Sequence, residues 1–150
     1  METTKQPYSP SGAVYQCANR LLLHADAETV KDWVIFAEPV LTLPLTATPL
    51  EIGTTLSGLI QGAKTQVPHP ADWKQAEKEY VRGMGFKTNK ELQAQCRLCM
   101  VSRLGHSFVL YPTRSAKTEF LVLSGKSLTV AVADPAALGG AVLQTLRESC

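Results

Sequence analysis

The feature that most constrains this chain is a segment it carries twice. ATPLEIGTTLSGLI, residues 47–60, and ADPAALGGAVLQTL, residues 133–146, align a capping residue (Thr48, Asp134), a proline (Pro49, Pro135), an aliphatic (Ile52, Leu138), a glycine (Gly53, Gly139) and a second aliphatic (Leu56, Val142). Each copy reads as the start of a helix. Thr48 can accept from the backbone near Glu51 while Glu51 reaches back, and proline takes the first helical position, where no N–H is needed. Ile52, Leu56, Leu59 and Ile60 then form one apolar stripe, as do Leu138, Val142 and Leu146 in the second copy. Glycine inside a helix costs about 1 kcal/mol relative to alanine. Two such glycines at matched positions predict that each helix approaches a sheet, or the other helix, so closely that a Cβ would collide.

The remaining elements follow from pattern. A helix is predicted from Pro70 to about Arg82, with Trp73, Ala76, Tyr80 and Met84 along one side and Gly83 and Gly85 ending it. A short helix is signalled by the capping box TNKE at Thr88 to Glu91. Short apolar runs in LCMVSR, HSFVLYP and EFLVLSGKSLTVAVA predict strands, with a hairpin at Ser124 and Gly125. VYQCANRLLL and WVIFAEPVLTL are further strand candidates. The reading is an α+β fold in one domain: about five strands, mainly antiparallel, with about four helices packed mainly on one face.

At 150 residues, with 45% hydrophobic and 19% charged residues and a mean hydropathy of −0.02, the chain has enough apolar material for one core without the bias of a disordered segment. METTKQPYSPSG, residues 1–12, reads as a flexible tail ahead of a domain spanning 13–150, and it lacks the apolar centre of a secretory signal. VIFAEPVLTLPL is interrupted by Glu38, Pro39 and Pro44, short of the roughly 18 apolar residues of a membrane span. The expected location is therefore the cytoplasm, with no membrane partner, and Cys17, Cys96, Cys99 and Cys150 are expected as reduced thiols. Net charge is +2, too small to imply a polyanionic partner by itself. Its distribution is uneven: five acids face one base between Asp26 and Glu51, and five bases face Glu119 between Arg97 and Lys126.

Several chemistries are nearly present and fail on spacing. Cys96 and Cys99 have the spacing of half a zinc site, but His24, His69 and His106 supply no second half. As a redox pair they would need a helix start, whereas they enter a strand, where residues three apart face opposite ways. Gly125-Lys126-Ser127 ends like a phosphate loop but has Phe120 where the first glycine belongs, and a strand follows it. No nucleophile elbow or paired-histidine motif occurs. No catalytic residue, metal site or cofactor is therefore assigned. Pro68-His69-Pro70 reads as a rigid corner. Trp33 and Trp73 read first as core anchors, and the arginines at 97, 103 and 114 lack the interleaved aromatics of a single-strand binder.

The order of motifs is more specific than any one of them. DWVIFAEPVLTLPL, EIGTTLSGLI, GFKTNKELQAQCRLCMVSR, FVLYPT and ADPAALGGAVLQTL, above all the turn at Gly85 to Leu92, Tyr111-Pro112-Thr113 and the helix at Asp134 to Leu146, resemble the immunity proteins of bacterial contact-dependent growth inhibition systems. The resemblance runs from about Trp33 to Leu146. It implies a cytoplasmic inhibitor without catalytic residues that binds the C-terminal toxin domain, often a nuclease, of an exported effector. It also implies an antiparallel sheet decorated by helices, and in some members a toxin hairpin received by strand addition. The partner surface expected on this chain is the acidic segment Asp26, Glu28, Asp32 and Glu38 with Trp33 as apolar anchor, meeting a basic toxin surface. The alternative surface is the strand edge at Arg114, Lys117 and Glu119. The competing readings are a general interaction module, a small enzyme and a nucleic-acid binder.

Overall fold

The computed structural model describes residues 9–116, 119–123 and 125–150. Eight strand segments and four helices alternate in the order β1 (Ser11–Gln16), β2 (Leu21–Glu28), β3 (Val34–Phe36), β4 (Leu41–Leu43), α1 (Pro49–Gln61), α2 (Trp73–Gly83), α3 (Asn89–Gln95), β5 (Arg97–Leu104), β6 (Ser107–Ser115), β7 (Phe120–Val122), β8 (Leu128–Ala131) and α4 (Pro135–Glu148). All strand pairs are antiparallel, in the order β3-β2-β1-β5-β6-β7, with β4 on β2 and β8 on β6. The α+β class and the four helices agree with the sequence reading, and the strand segments outnumber the five expected. Ser11 and Gly12, assigned to the tail, belong to β1, and the first eight residues of that tail lie outside the described residues.

The extra segments come from breaks in the two outer rows. Asp26 pairs Phe36 and Leu23 pairs Leu41, so residues 37–40 stand opposite only His24 and Ala25 and bulge out of the row. On the far edge β7 and β8 both pair with β6, Thr113 with Val122 and Leu110 with Leu128. The hairpin expected at Ser124 and Gly125 falls partly on Ser124, which lies outside the described residues; the flanking strands β7 and β8 run in the same direction and both pair with β6. VYQCANRLLL, in turn, is a hairpin rather than one strand: Cys17 N–H donates to the Arg20 carbonyl at 2.9 Å and closes the turn between β1 and β2. Short, broken edges are a recognised protection against unwanted pairing.

The elements of the second half begin 86 residues after those of the first: Ser11 and Arg97, Leu21 and Ser107, Val34 and Phe120, Pro49 and Pro135. Each half is a hairpin, a broken third strand and a helix, and the two halves meet at β1 and β5. The doubled segment is thus the visible part of an internal repeat, with α2 and α3 inserted between the copies. The repeat also accounts for the two glycines. A Cβ on Gly53 would lie 1.7 Å from the Pro135 carbonyl oxygen, and one on Gly139 would lie 1.7 Å from that of Pro49. Each helix therefore seats its glycine on the first turn of the other, reciprocally. The starts are held as the sequence suggests, Thr48 Oγ1 accepting from Glu51 N–H at 3.2 Å and Asp134 Oδ1 from Ala137 N–H at 3.0 Å.

Side-chain alternation gives the sheet two buried faces. Val14, Leu21, Leu23, Cys99 and Val101 pack under α1 and α4 with Ile52, Leu56, Leu138 and Val142. Ala13, Tyr15, Leu22 and Leu98 pack under the insert with Val81, Met84, Phe86 and Leu92. Helices therefore cover both faces, which corrects the expectation of one. Burial on both sides is why β2 reads LLL without alternation.

Two of the four cysteines depart from expectation, while Cys99 and Cys150 are free thiols. Cys17 and Cys96 form a disulfide, their Cα atoms 4.4 Å apart across 79 residues of sequence. Gln16 pairs Arg97 at the end of the β1–β5 ladder, so the next pair outward is Cys17 and Cys96. Cys96 packs on the α2–α3 side and Cys99 on the α1–α4 side, so the two do not share a face.

Candidate functional site

An open cleft of about 1260 Å³ lies between the sheet and α2. Its floor is the sheet face carrying Ser11, Tyr15, His24, Asp26, Met100 and Ser102. The position of the site follows from the insert: α2 is tied to the sheet through Val81 and Met84 at its C-terminal end, while its N-terminal half from Trp73 stands exposed. Asp72 sets that start by accepting from the Lys74 and Gln75 N–H groups. The other wall is β3 with the bulge after it, including Phe36 and Glu38.

The floor holds a buried polar network. Ser11 Oγ donates to Asp26 Oδ2 at 2.8 Å, and His24 Nδ1 lies 3.0 Å from the Ala25 carbonyl oxygen and 3.5 Å from Asp26 Oδ1. His24 is 2% exposed, its ring meets Phe36 edge-on at 4.8 Å, and its Nε2 has no hydrogen-bond partner among the described residues. Burial lowers the His24 pKa against the opposing pull of Asp26 and raises that of Asp26 against His24 and Ser11. The Tyr15 and Tyr80 hydroxyls are hydrogen-bonded to each other. Burial pushes Tyr80 up to about 12 and Tyr15 well above its ordinary value.

Serine, histidine and aspartate thus meet in a cleft, but not in an order that activates a nucleophile. The hydroxyl of Ser11 is bonded to the carboxylate rather than to the imidazole, and Nε2 has no hydroxyl to deprotonate. Burial keeps both phenols protonated at neutral pH, so neither offers a phenolate base. The network suits recognition of a group brought from outside.

The mouth is apolar and aromatic. Trp33 and Trp73 are 58% and 47% exposed, with ring centroids 5.4 Å apart, and His69 stands edge-on to both at 5.9 and 5.2 Å. Val30 and Val34 are exposed as well. The tryptophans are therefore surface residues and not the core anchors expected, and the Pro68-His69-Pro70 corner holds the imidazole against both, with His69 Nδ1 3.0 Å from Thr29 Oγ1. A turn residue, Asp32 at φ 65°, precedes Trp33.

Of the acidic candidates, Asp26 and Glu38 line the cleft and Trp33 stands beside it, whereas Glu28 is 6% exposed. Asp32 is exposed in the turn. Arg114 and Glu119 lie at the opposite edge, around β6 and β7, and Lys117 is outside the described residues. Glu77, Glu79 and Asp72, to which the sequence reading gave no site role, also line the cleft. Among the described residues, no helix is long and apolar enough to cross a membrane.

No family model matches the chain, and no curated protein matches it. Solved structures share its fold. A Neisseria meningitidis protein of unknown function superposes with a TM-score of 0.80 at 16% identity, over 99% of this chain and 100% of the other. A chain of the CdiA-CT/CdiI toxin and immunity complex from Yersinia pseudotuberculosis superposes with a TM-score of 0.73 at 13% identity, over 96% of this chain and 99% of the other.

Proposed function

We propose that this chain is an immunity protein of a contact-dependent growth inhibition system. It acts in the cytoplasm by binding and neutralising the C-terminal toxin domain of an effector, with nuclease toxins the expected class, and it makes or breaks no bond itself. The observation that carries the reading is the end-to-end likeness of fold to a chain of a toxin and immunity complex, which stands beside the order of motifs in the sequence. The cleft supports it: two exposed tryptophans stand at its mouth, and tryptophan is enriched at binding hot spots.

Within this reading the partner surface is the cleft side, with Asp26, Glu38 and Trp33 from the expected acidic segment and Trp73 added to them. Arg114 and Glu119 belong to the alternative edge. The test is growth of cells that express the neighbouring effector's C-terminal domain with and without this protein. Protection together with co-purification of the two chains is the expected result. Unaltered toxicity and separate elution would exclude the reading and leave a general interaction module.

A further inference from the structure

The cleft is negatively charged on a chain that is positive overall. Asp26, Glu38, Asp72, Glu77 and Glu79 line it against a single base, Lys64, while the whole chain carries a net charge of +2. Some of these carboxylates are already engaged: Asp72 caps α2, Glu77 accepts from Asn89 Nδ2 at 3.1 Å, and Glu79 accepts from Gln75 Nε2 at 3.5 Å. Asp26 has only the Ser11 hydroxyl at short range, with the imidazole at 3.5 Å.

A second observation, independent of the charge, is the orphan nitrogen of His24. The Ala25 carbonyl can only accept, so the hydrogen bond at 3.0 Å places the imidazole proton on Nδ1. Nε2 is then a bare lone pair, and it is buried without a donor. A buried acceptor left unpaired keeps the cost of its lost hydration uncompensated. Lone pair and carboxylate lie two residues apart on β2, and both line the same open cleft. Nε2 lacks a donor among the described residues and the carboxylate has one short donor, Ser11, so a positively charged donor would serve both at once.

We propose that this cleft binds the cationic side chain of a lysine or arginine presented by the protein partner, with Asp26 and His24 Nε2 receiving its N–H groups and the rim carboxylates steering its entry. The proposal rests on the partner being a protein and specifies which of its residues enters. Trp33 and Trp73 at the mouth offer ring faces to the cation and its alkyl stem during entry. Asp26 is half-buried, and a charge-assisted hydrogen bond to it is stronger than one between neutral groups.

The test uses the whole protein and a short probe, acetyl-Gly-Arg-Gly-amide, with lysine and neutral citrulline in place of arginine in parallel titrations. The chain's two tryptophans, Trp33 and Trp73, both stand at the cleft or its mouth, so intrinsic fluorescence reports occupancy, and the imidazole nitrogen signals of His24 report contact with Nε2. The arginine or lysine peptide is expected to give a saturable change and to move the Nε2 signal, the citrulline peptide to bind at least tenfold more weakly, and Asp26→Asn to lose a comparable factor. Glu38→Gln, at an exposed rim position, is the second variant should Asp26→Asn fail to fold, and it is expected to weaken binding by a smaller factor. Equal response to citrulline, an unmoved Nε2 signal, or unchanged affinity in the folded variants would overturn the proposal. Failure of toxin protection with intact cation binding would instead remove the immunity reading and leave this site standing.

Discussion

Replacing Gly53 or Gly139 by alanine adds a single methyl group at a place where there is no room for it. The new Cβ would sit 1.7 Å from a backbone carbonyl oxygen and 2.6 Å (at Gly53) or 2.4 Å (at Gly139) from its carbon, against ordinary contacts of 3.4 Å or more. The obstacle is the first turn of the partner helix, fixed by its proline and cap, so it cannot swing away like a side chain. The helices must separate by more than an ångström, which loosens the packing of Ile52, Leu56, Leu138 and Val142 beneath them. Overpacking of this kind costs up to about 3 kcal/mol and occasionally more, and helix propensity returns about 1. A net loss of up to about 2 kcal/mol follows, a fall in Tm of up to about 8 °C for a domain of this size. Gly58 in α1 and Gly140 in α4 are the controls, because a Cβ there meets nothing within 4 Å. Gly58→Ala and Gly140→Ala should therefore hold or raise stability. Chemical denaturation of the four single variants and of the Gly53→Ala, Gly139→Ala pair measures all of this. The pair should lose less than the sum, since one substitution already parts the helices. Equal stability of Gly53→Ala and Gly58→Ala would refute the reciprocal seat.

Three further outcomes can be measured on the same protein. Breaking the Cys17–Cys96 link with Cys17→Ala and Cys96→Ala together should cost about 2–4 kcal/mol, and reductant should lower wild-type stability without changing that variant, since the bond spans 79 residues. Trp33→Ala and Trp73→Ala should each weaken toxin binding by about 2 kcal/mol or more while leaving Tm nearly unchanged, because both rings are about half exposed; a large loss of stability would return them to a structural role. Tyr80 ionises at 10.0 when unfolded and at about 12 when folded, so its contribution is complete below pH 10 and is lost as pH rises through about 12. Alkaline denaturation should therefore begin above pH 10 and shift in Tyr80→Phe, at a scale of about 2–3 kcal/mol for Tyr80.

What could be read from the sequence divides along physical lines. Helix starts were legible because capping is local: Thr48, Thr88 and Asp134 each act within three residues. The glycine pair predicted a close approach but left its partner open, and only the fold shows that each glycine faces the other's proline. The rest of the internal repeat was hidden. At the 86-residue spacing the halves share Lys31 and Lys117, Ala47 and Ala133, Pro49 and Pro135, and Gly53 and Gly139, and nothing else. Strand positions need only be apolar, whereas the helix seat demands particular residues, so, Lys31 and Lys117 apart, the shared letters are those of the seat. The disulfide depends on the β1–β5 register, which local pattern does not encode. The cleft escaped for the same reason: Asp26, Trp33 and Glu38 were chosen as one acidic segment, but Trp73, Glu77 and Glu79 join them only when α2 folds back over β2. Trp33 and Trp73 were misplaced into the core because size and apolarity suggest burial, whereas a turn at Asp32 and a cap at Asp72 hold them at the surface.

The central claim is that this protein grips its partner through the face between β3 and α2. Hydrogen exchange of the backbone, with and without the effector's C-terminal domain, addresses it most directly. The account predicts slowed exchange at residues 33–38 and 69–80 in the complex and little change along β6 and β7. Protection confined to the β6–β7 edge, or none anywhere, would contradict it.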